Sequence, residues 1–393
     1  MYTKKDVLIV GAGPSGSQLA CGLASLGYEV LVLERKAAAG DEVCCTGIIS
    51  RECLETFAID RNLVLKPGNA AQFISPSGKG LRLSRDSEVA YILDRPALNR
   101  VLANRAQEAG ASYLFAAQVK DIRPEADHVR VMADCRGEDT VFEARAAVLA
   151  TGFGSPLLGR LGLGHITDFV TGAQARVATN NIDEVEIYFN QALAPGGFAW
   201  LVPTRDGEGL AGLLARRQPE LGLKSLLSRL RSEGKIASAE VDAGYEAIPL
   251  RPLPKTSTDR VLVIGEAAGQ VKPTTGGGVY YGLLCADIAR DCLYQAFMAD
   301  DFSAAGLASY DRQWRARLGR ELQTGYRLVR FYRRLSNQQI ERLFWIMMRS
   351  DLPRFMASLE TIPFDWHGAL TMKLLKHLAI NTPLGLVKAL RKA

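Results

Sequence analysis

The strongest constraint on this chain lies in its first 34 residues. Asp6 to Val10 reads DVLIV, and GAGPSG follows at once, with glycines at 11, 13 and 16. A short apolar run closed by a glycine turn is the pattern of a buried strand. Ser15 to Leu26 then reads as a helix, and Tyr28 to Leu33 as a second strand that ends at Glu34. This βαβ start demands a parallel sheet covered by helices. In such a turn Gly11 makes the bend, Gly13 lets the backbone approach a pyrophosphate, and Gly16 lets helix and strand pack closely. The helix start at Pro14 and Ser15 offers unpaired N–H groups and a positive dipole end to phosphates. Glu34, followed by Arg35, stands where a carboxylate accepts from ribose hydroxyls and repels the 2′-phosphate of NADP.

Length and composition set the rest of the frame. The chain has 393 residues, 48% hydrophobic and 23% charged, which excludes disordered, collagen-like and disulfide-scaffold classes. Seven cysteines show no zinc spacing, so no metal site is expected and free thiols in a reducing cytosol are. The N-terminal apolar run is too short for a signal peptide, and no apolar stretch reaches the ~18 residues of a membrane span.

A long helix is expected over Asp94 to Glu108, and strands over Ser112 to Ile122, His128 to Ala133 and Thr140 to Ala150. From Gly172 to Leu214 the texture turns β-rich (QARVAT, EVEIYFN, FAWLVP, GLAGLLA), which predicts a second, mainly antiparallel sheet. A helix is expected over Leu221 to Glu233. The strand RVLVI at 260–264 returns to the first pattern, and helices follow Gly278 almost to the end. The expected fold is α/β: a discontinuous Rossmann-type nucleotide domain (1–165 and 255–300) interleaved with an antiparallel substrate domain (166–254), plus a C-terminal helical region (301–393).

A second motif separates FAD from NAD. RVLVIGEAAGQVKPTTGGGVYYGLLCADIA, from Arg260, resembles the second FAD fingerprint of the glutathione-reductase and p-hydroxybenzoate-hydroxylase class of flavoproteins. Glu266 stands where that class has Asp. Pro273, Gly277, Gly278 and Val279 would bring backbone N–H groups to the flavin N1/C2=O edge, and a helix N-terminus there favours the anionic reduced flavin. ATGFGSP at 150–156 resembles the class motif A-D-G-x-x-S, with Thr151 for Asp and a matching Gly152. FAD is the expected cofactor.

Three further stretches resemble the geranylgeranyl reductase family. EVCCTGIIS (42–50) resembles its cysteine loop beside the flavin, with Cys45 the better-aligned thiol and Thr46 and Ile48 beside it. YILDRPALNRVLANRAQEAGA (91–111) resembles its x-x-x-R-x-x-F-D segment, which makes Arg95 the FAD-contacting arginine. PGGFAWLVPTRDGEGLAGL (195–213) resembles its Y-x-W-x-F-P run through Phe198, Trp200 and Pro203. Val119 completes the cofactor set that the resemblance implies. The implied activity is saturation of prenyl C=C bonds by hydride from flavin N5. An isolated alkene is not polarised, so alignment in a dry apolar slot must carry much of the work. Phe198 and Trp200 alternate along a strand and project to one face as an apolar wall; Cys45 is a candidate proton donor. The competing readings are an FAD monooxygenase or halogenase, because FxWxVP also resembles the halogenase W-x-W-x-I-P, and an electron-transfer flavoprotein without lipid turnover.

Net charge is +6, unevenly placed. Arg312 to Arg354 holds eleven arginines and no lysine against three acids, Phe355 to the end adds +3, and the first 311 residues are net negative. Arg327, Arg330, Arg333 and Arg334 interleave with large apolar residues. That composition fits an anionic membrane surface better than nucleic acid. The expected partners are a prenyl-chain lipid, NAD(P)H or a ferredoxin as electron donor, and that membrane surface. The expected location is the cytoplasm, peripheral at the inner face of the cell membrane.

Overall fold

Lys5–Val10 lies in the middle of a parallel sheet, paired on one side with Glu138–Leu149 and on the other with Val30–Glu34. The computed structural model describes residues 4–205, 207–239, 243–359 and 362–381. It divides into two compact units. The first comprises 1–43, 94–169 and 248–323, and the second 44–93, 170–247 and 324–393.

In the first unit the parallel sheet extends to Ser112–Phe115 at one edge and Val261–Val263 at the other. Its strands are buried on both faces, as crossover topology requires: Val7, Leu8, Ile9, Val32 and Val148 are fully enclosed. Glu138–Leu149 continues beyond the sheet and carries an antiparallel meander with Val129–Cys135 and Ala117–Pro124. The single strand expected over 112–122 is interrupted. Ala116 takes a left-handed φ of 53° and gives its N–H to the Lys36 carbonyl, so the chain leaves one pairing for another. The helix Pro14–Ser25 packs on Arg95–Glu108 and on Val279–Ala299. Asp94 is the cap of the second of these, accepting from the Ala97 N–H.

The second unit is built on a mixed, mainly antiparallel sheet. Its order is Ile236–Ala239, Phe169–Thr179, Glu208–Ala215, Ala199–Pro203, Val185–Tyr188, Ala70–Ile74 and Gly80–Ser84. Residues 44–93, grouped with the nucleotide half in the sequence reading, cluster here. Ala70–Ile74 adds a parallel strand beside Val185–Tyr188. Over three of its strands one face is enclosed: Ala173, Ala175, Leu201, Ala211 and Leu213 meet Leu223, Leu226 and Leu230 of the helix Pro219–Ser232. Among the described residues, three helices follow Tyr332, at Asn337–Arg349, Leu352–Ser358 and His367–Asn381. Ser336 and Gln339 close a reciprocal cap on the first of these. Among the described residues no helix is long and apolar enough to cross a membrane.

Candidate functional site

The glycine turn is shaped by contact. Gly11 has φ 110°, and a Cβ on it would strike the Ala150 carbonyl; a Cβ on Gly16 would strike the Gly11 carbonyl. ATGFG therefore sits against the first turn, which the sequence alone does not place. Gly13, by contrast, is extended, and a Cβ there meets nothing within 4 Å. The helix it caps has no side-chain cap, so its first-turn N–H groups are not taken up by a capping side chain. Gly152 also opens on space, at φ 72°.

Ser15 joins the two FAD motifs. Its Oγ lies 2.5 Å from where a Cβ on Gly265 would stand, and it also occupies the place of a Cβ on Gly282. The second motif is held from within by Gln270, fully buried, whose Oε1 accepts from Gly265 N–H (2.7 Å) and whose Nε2 donates to the Tyr310 hydroxyl (2.9 Å). Sequence reasoning missed Gln270; its signal was a polar residue inside an otherwise apolar and glycine motif. Glu266 lies half-buried in the short 3-10 turn Gly265–Ala268. Pro273 is buried, and Gly277, Gly278 and Val279 are half-buried where an uncapped helix begins.

Glu34 is already engaged. Its carboxylate accepts from the N–H groups of Ala12 (2.7 Å) and Lys36 (3.0 Å). It thus fixes the glycine turn, and its remaining lone pairs can accept further hydrogen bonds. Arg35 beside it is exposed. Arg95 is 7% exposed; one of its terminal nitrogens donates to Asn99 Oδ1 (3.0 Å), while its Nε is buried without a partner. Val119 pairs with Ala133 and packs its side chain on the sheet core, so it has only backbone to offer a nucleotide. An open glycine cradle, two uncapped helix starts and an orphaned guanidinium N–H fit the phosphates and polar edges of an FAD.

In the second unit, Phe198 and Trp200 share the sheet face opposite the enclosed one, with ring centroids 5.8 Å apart. Register places Gln174, Gly212, Trp200, Ile187 and Phe73 in one row across five strands, about 19 Å end to end. Phe198, Ile187 and Phe73 are only half-buried there. Phe189 continues the aromatic surface, touching Phe198, Phe73, Tyr332 and Phe344 at centroid distances of 5.8–6.3 Å. Trp200 Nε1 and the Tyr332 hydroxyl are both buried there without partners, and burial pushes the Tyr332 hydroxyl well above the ordinary phenol range. Gln174, Gly212, Phe189 and Tyr332 were not read from the sequence, because only the strand register reveals them.

The cysteine loop also belongs to this unit. Thr46 Oγ1 donates to Gln174 Oε1 (2.8 Å), tying the loop to one end of the aromatic row. Ile48 starts a short strand paired with Ile92. Cys45 is exposed. Cys44 is partly buried, with its Sγ 2.8 Å from the place of a Cβ on Gly244. Burial first, then Glu246 and Cys45, push its thiol up to about 11. Cys44 is therefore held as a thiol, and Cys45 is the more accessible of the two.

Part of the basic run is engaged within the fold. Arg315 is tied to Asp311 and to the carbonyls of Leu253 and Pro254. Around Asn337–Arg349 the exposed side chains mix both characters: Phe331, Trp345 and Met348 beside Arg330, Arg334, Arg342 and Arg349, with the Arg349 guanidinium 4.1 Å from the Trp345 ring centre. Lys388, Arg391 and Lys392 lie outside the described residues.

The sequence matches the FAD binding domain family over residues 4–221. It is 31% identical over 376 residues to digeranylgeranylglycerophospholipid reductase 2 of Methanopyrus kandleri, covering 91% of this chain and 94% of that one. The corresponding reductase of Methanocaldococcus jannaschii is 27% identical, with 91% and 95% covered. Among solved structures, a geranylgeranyl bacteriochlorophyll reductase-like protein of Thermoplasma acidophilum superposes with a TM-score of 0.83, at 21% identity and 99% coverage of both chains. The flavin-dependent brominase Bmp2 shares the fold less closely, at a TM-score of 0.71 and 16% identity over 95% of this chain and 98% of that one.

Proposed function

The chain belongs to the FAD-binding digeranylgeranylglycerophospholipid reductase family, and from that premise we propose that it reduces isolated double bonds in the polyprenyl chain of a membrane lipid. The observation that carries the reading is the apolar surface around Trp200, itself buried, whose neighbours Phe198, Ile187 and Phe73 are only half-buried. It lies on a sheet whose opposite face is enclosed over the three strands Phe169–Thr179, Glu208–Ala215 and Ala199–Pro203. A soluble polar substrate has no use for such a surface, whereas a prenyl chain laid across the strands covers it.

When bound and reduced, FAD supplies hydride from N5; the chain supplies orientation and a dry environment. Gly11, Gly13, Pro14, Ser15 and Gly16 hold the pyrophosphate, Glu34 and Arg35 flank the ribose, and Arg95 gives its buried Nε–H to the cofactor. Gly152, Glu266, Pro273, Gly277, Gly278 and Val279 complete the cradle, with Val119 contributing backbone. Trp200 and Phe198 exclude water and align the alkene. Cys45, with Thr46 and Ile48 setting its loop, is the protein's candidate for delivering the proton. The electron donor is a transiently bound NAD(P)H or a ferredoxin.

The exposed Trp345, Met348 and Phe331, framed by Arg330, Arg334, Arg342 and Arg349, have the mixed character of an interfacial helix. On this reading the protein sits peripherally on an anionic bilayer, where its substrate is dissolved. Lipids extracted from a host that makes geranylgeranyl lipids test the activity: expression should shift their masses upward by two hydrogens per bond. Unchanged lipid masses, with holoprotein present at the membrane, would refute it.

A further inference from the structure

Tyr332 ends the helix Ala304–Tyr332, and its ring meets Phe189 edge-on at 5.8 Å. Ring contacts lead on from Phe189 to Phe198 (6.3 Å) and from Phe198 to Trp200 (5.8 Å). The phenol hydroxyl is buried and has no hydrogen-bond partner. Leaving such a group unpaired costs stability that a phenylalanine would not cost. Packing in the cluster of Leu81, Ile340 and Phe344 therefore accounts for the ring but not for its oxygen. Burial also keeps the proton on that oxygen well above the ordinary phenol range, so the group is a hydrogen-bond donor and not an acid. The protein surface is close by in the chain: Phe331 is 59% exposed, and Arg330 and Arg334 are exposed.

We propose that Tyr332 is a specificity-determining residue whose hydroxyl donates a hydrogen bond to the oxygen joining the substrate's prenyl chain to its head group. The inference rests on the reading that the aromatic surface receives a prenyl chain. Such a chain is hydrocarbon along its length, so the linking oxygen is its first atom able to accept a hydrogen bond. Of the two polar atoms without partners on this surface, the Tyr332 hydroxyl is the one whose chain neighbours reach solvent and carry positive charge. A polar or anionic head group belongs at that end, with the tail running past Phe189 and Phe198 towards Trp200. Side chains close over the hydroxyl here, and an entering lipid parts them. One hydrogen bond at the head then sets which double bond lies beside Trp200. It also selects against a chain that lacks the oxygen, because the hydroxyl would stay unpaired.

The test offers purified holoprotein two probes in detergent micelles: geranylgeranyl methyl ether, and the hydrocarbon in which a methylene replaces its oxygen. Affinity is read from tryptophan fluorescence, and kcat/KM from anaerobic turnover with dithionite-reduced flavin. The preference for the ether over the hydrocarbon should fall about tenfold from wild type to Tyr332→Phe, in both measurements. Comparing the two proteins cancels any difference in how the probes partition into micelles. Without lipid, Tyr332→Phe should melt no lower than wild type, because only an unpaired hydroxyl has gone. An equal preference in the two proteins would overturn the role of Tyr332 while leaving the prenyl reductase reading intact. Neither probe bound nor reduced by wild type would remove that reading and the inference with it.

Discussion

Gly212 and Trp200 face each other across the strands Glu208–Ala215 and Ala199–Pro203, and the indole lies over the glycine: a Cβ on Gly212 would stand 2.5 Å from Trp200 Cζ2 and 2.7 Å from Cε2. The glycine sets the height of the aromatic wall. Its own neighbour in the row, Gln174, is fixed from the other side by Thr46.

Gly212→Ala should therefore tilt the indole out of the row. The expected cost in stability is about 1–3 kcal/mol from overpacking. Turnover of a prenyl substrate should fall more than tenfold while flavin content stays at wild-type level. Tryptophan fluorescence and FAD absorbance of the purified variant separate the two effects.

The glycines of the first turn should behave differently from one another. Gly16→Ala drives a methyl group into the Gly11 carbonyl and should destabilise the fold by more than about 1 kcal/mol. Gly13→Ala points into open space and should fold normally. Gly13→Asp should also fold, but yield colourless protein, because a carboxylate then meets the pyrophosphate at the helix start. Thermal melts alongside the ratio of flavin to protein absorbance check all three.

Helix Asn337–Arg349 is clamped to the turn at 75–79 through Glu341. That carboxylate accepts from the Ser77 N–H (3.1 Å) and Oγ (2.7 Å), and Lys79 lies 3.3 Å away. Partial burial works against its charge, but the bonds from Ser77, Ser75 and Lys79 prevail and hold it at about 2. A depressed carboxylate stabilises the fold fully above its unfolded value near 4.5, and that contribution is lost as pH falls towards 2. Glu341→Gln should cost about 1 kcal/mol at pH 7. Its melting temperature should fall less than that of wild type between pH 6 and pH 3.

Membrane attachment should follow charge and salt. Replacing Arg330, Arg334 and Arg349 by Gln removes three exposed cations at ~1 kcal/mol each, so binding to anionic vesicles should weaken roughly a hundredfold. Added salt should weaken it further, since the Debye length is already ~8 Å at physiological ionic strength. Flavin content should not change. Equal sedimentation with neutral and anionic vesicles would leave the cations as an ordinary solvated face.

The nucleotide half was legible because its signals are local. A strand, a glycine turn and an acid at position 34 fall within one short window, and Ser15 meets Gly265 only because both motifs follow the same rules. Phe198 and Trp200 were legible through two-residue alternation. The segment 44–93 was not: its strands are three to five residues long and mostly half-buried, and Ala70–Ile74 pairs in parallel with a strand more than a hundred residues away. The roles of Gly212 and Gln174 depend on cross-strand neighbours, which no local pattern encodes.

Hydride transfer from the bound flavin to a prenyl double bond is observable in a single anaerobic turnover. Holoprotein reduced with one equivalent of dithionite is mixed with a geranylgeranyl lipid in the absence of oxygen, and flavin absorbance and lipid mass are followed together. Flavin should re-oxidise with one double bond saturated per flavin, a gain of two hydrogens, and this should slow more than tenfold in Gly212→Ala. Flavin that stays reduced until oxygen is admitted, with a product that gains oxygen or halogen or with no product at all, would contradict it.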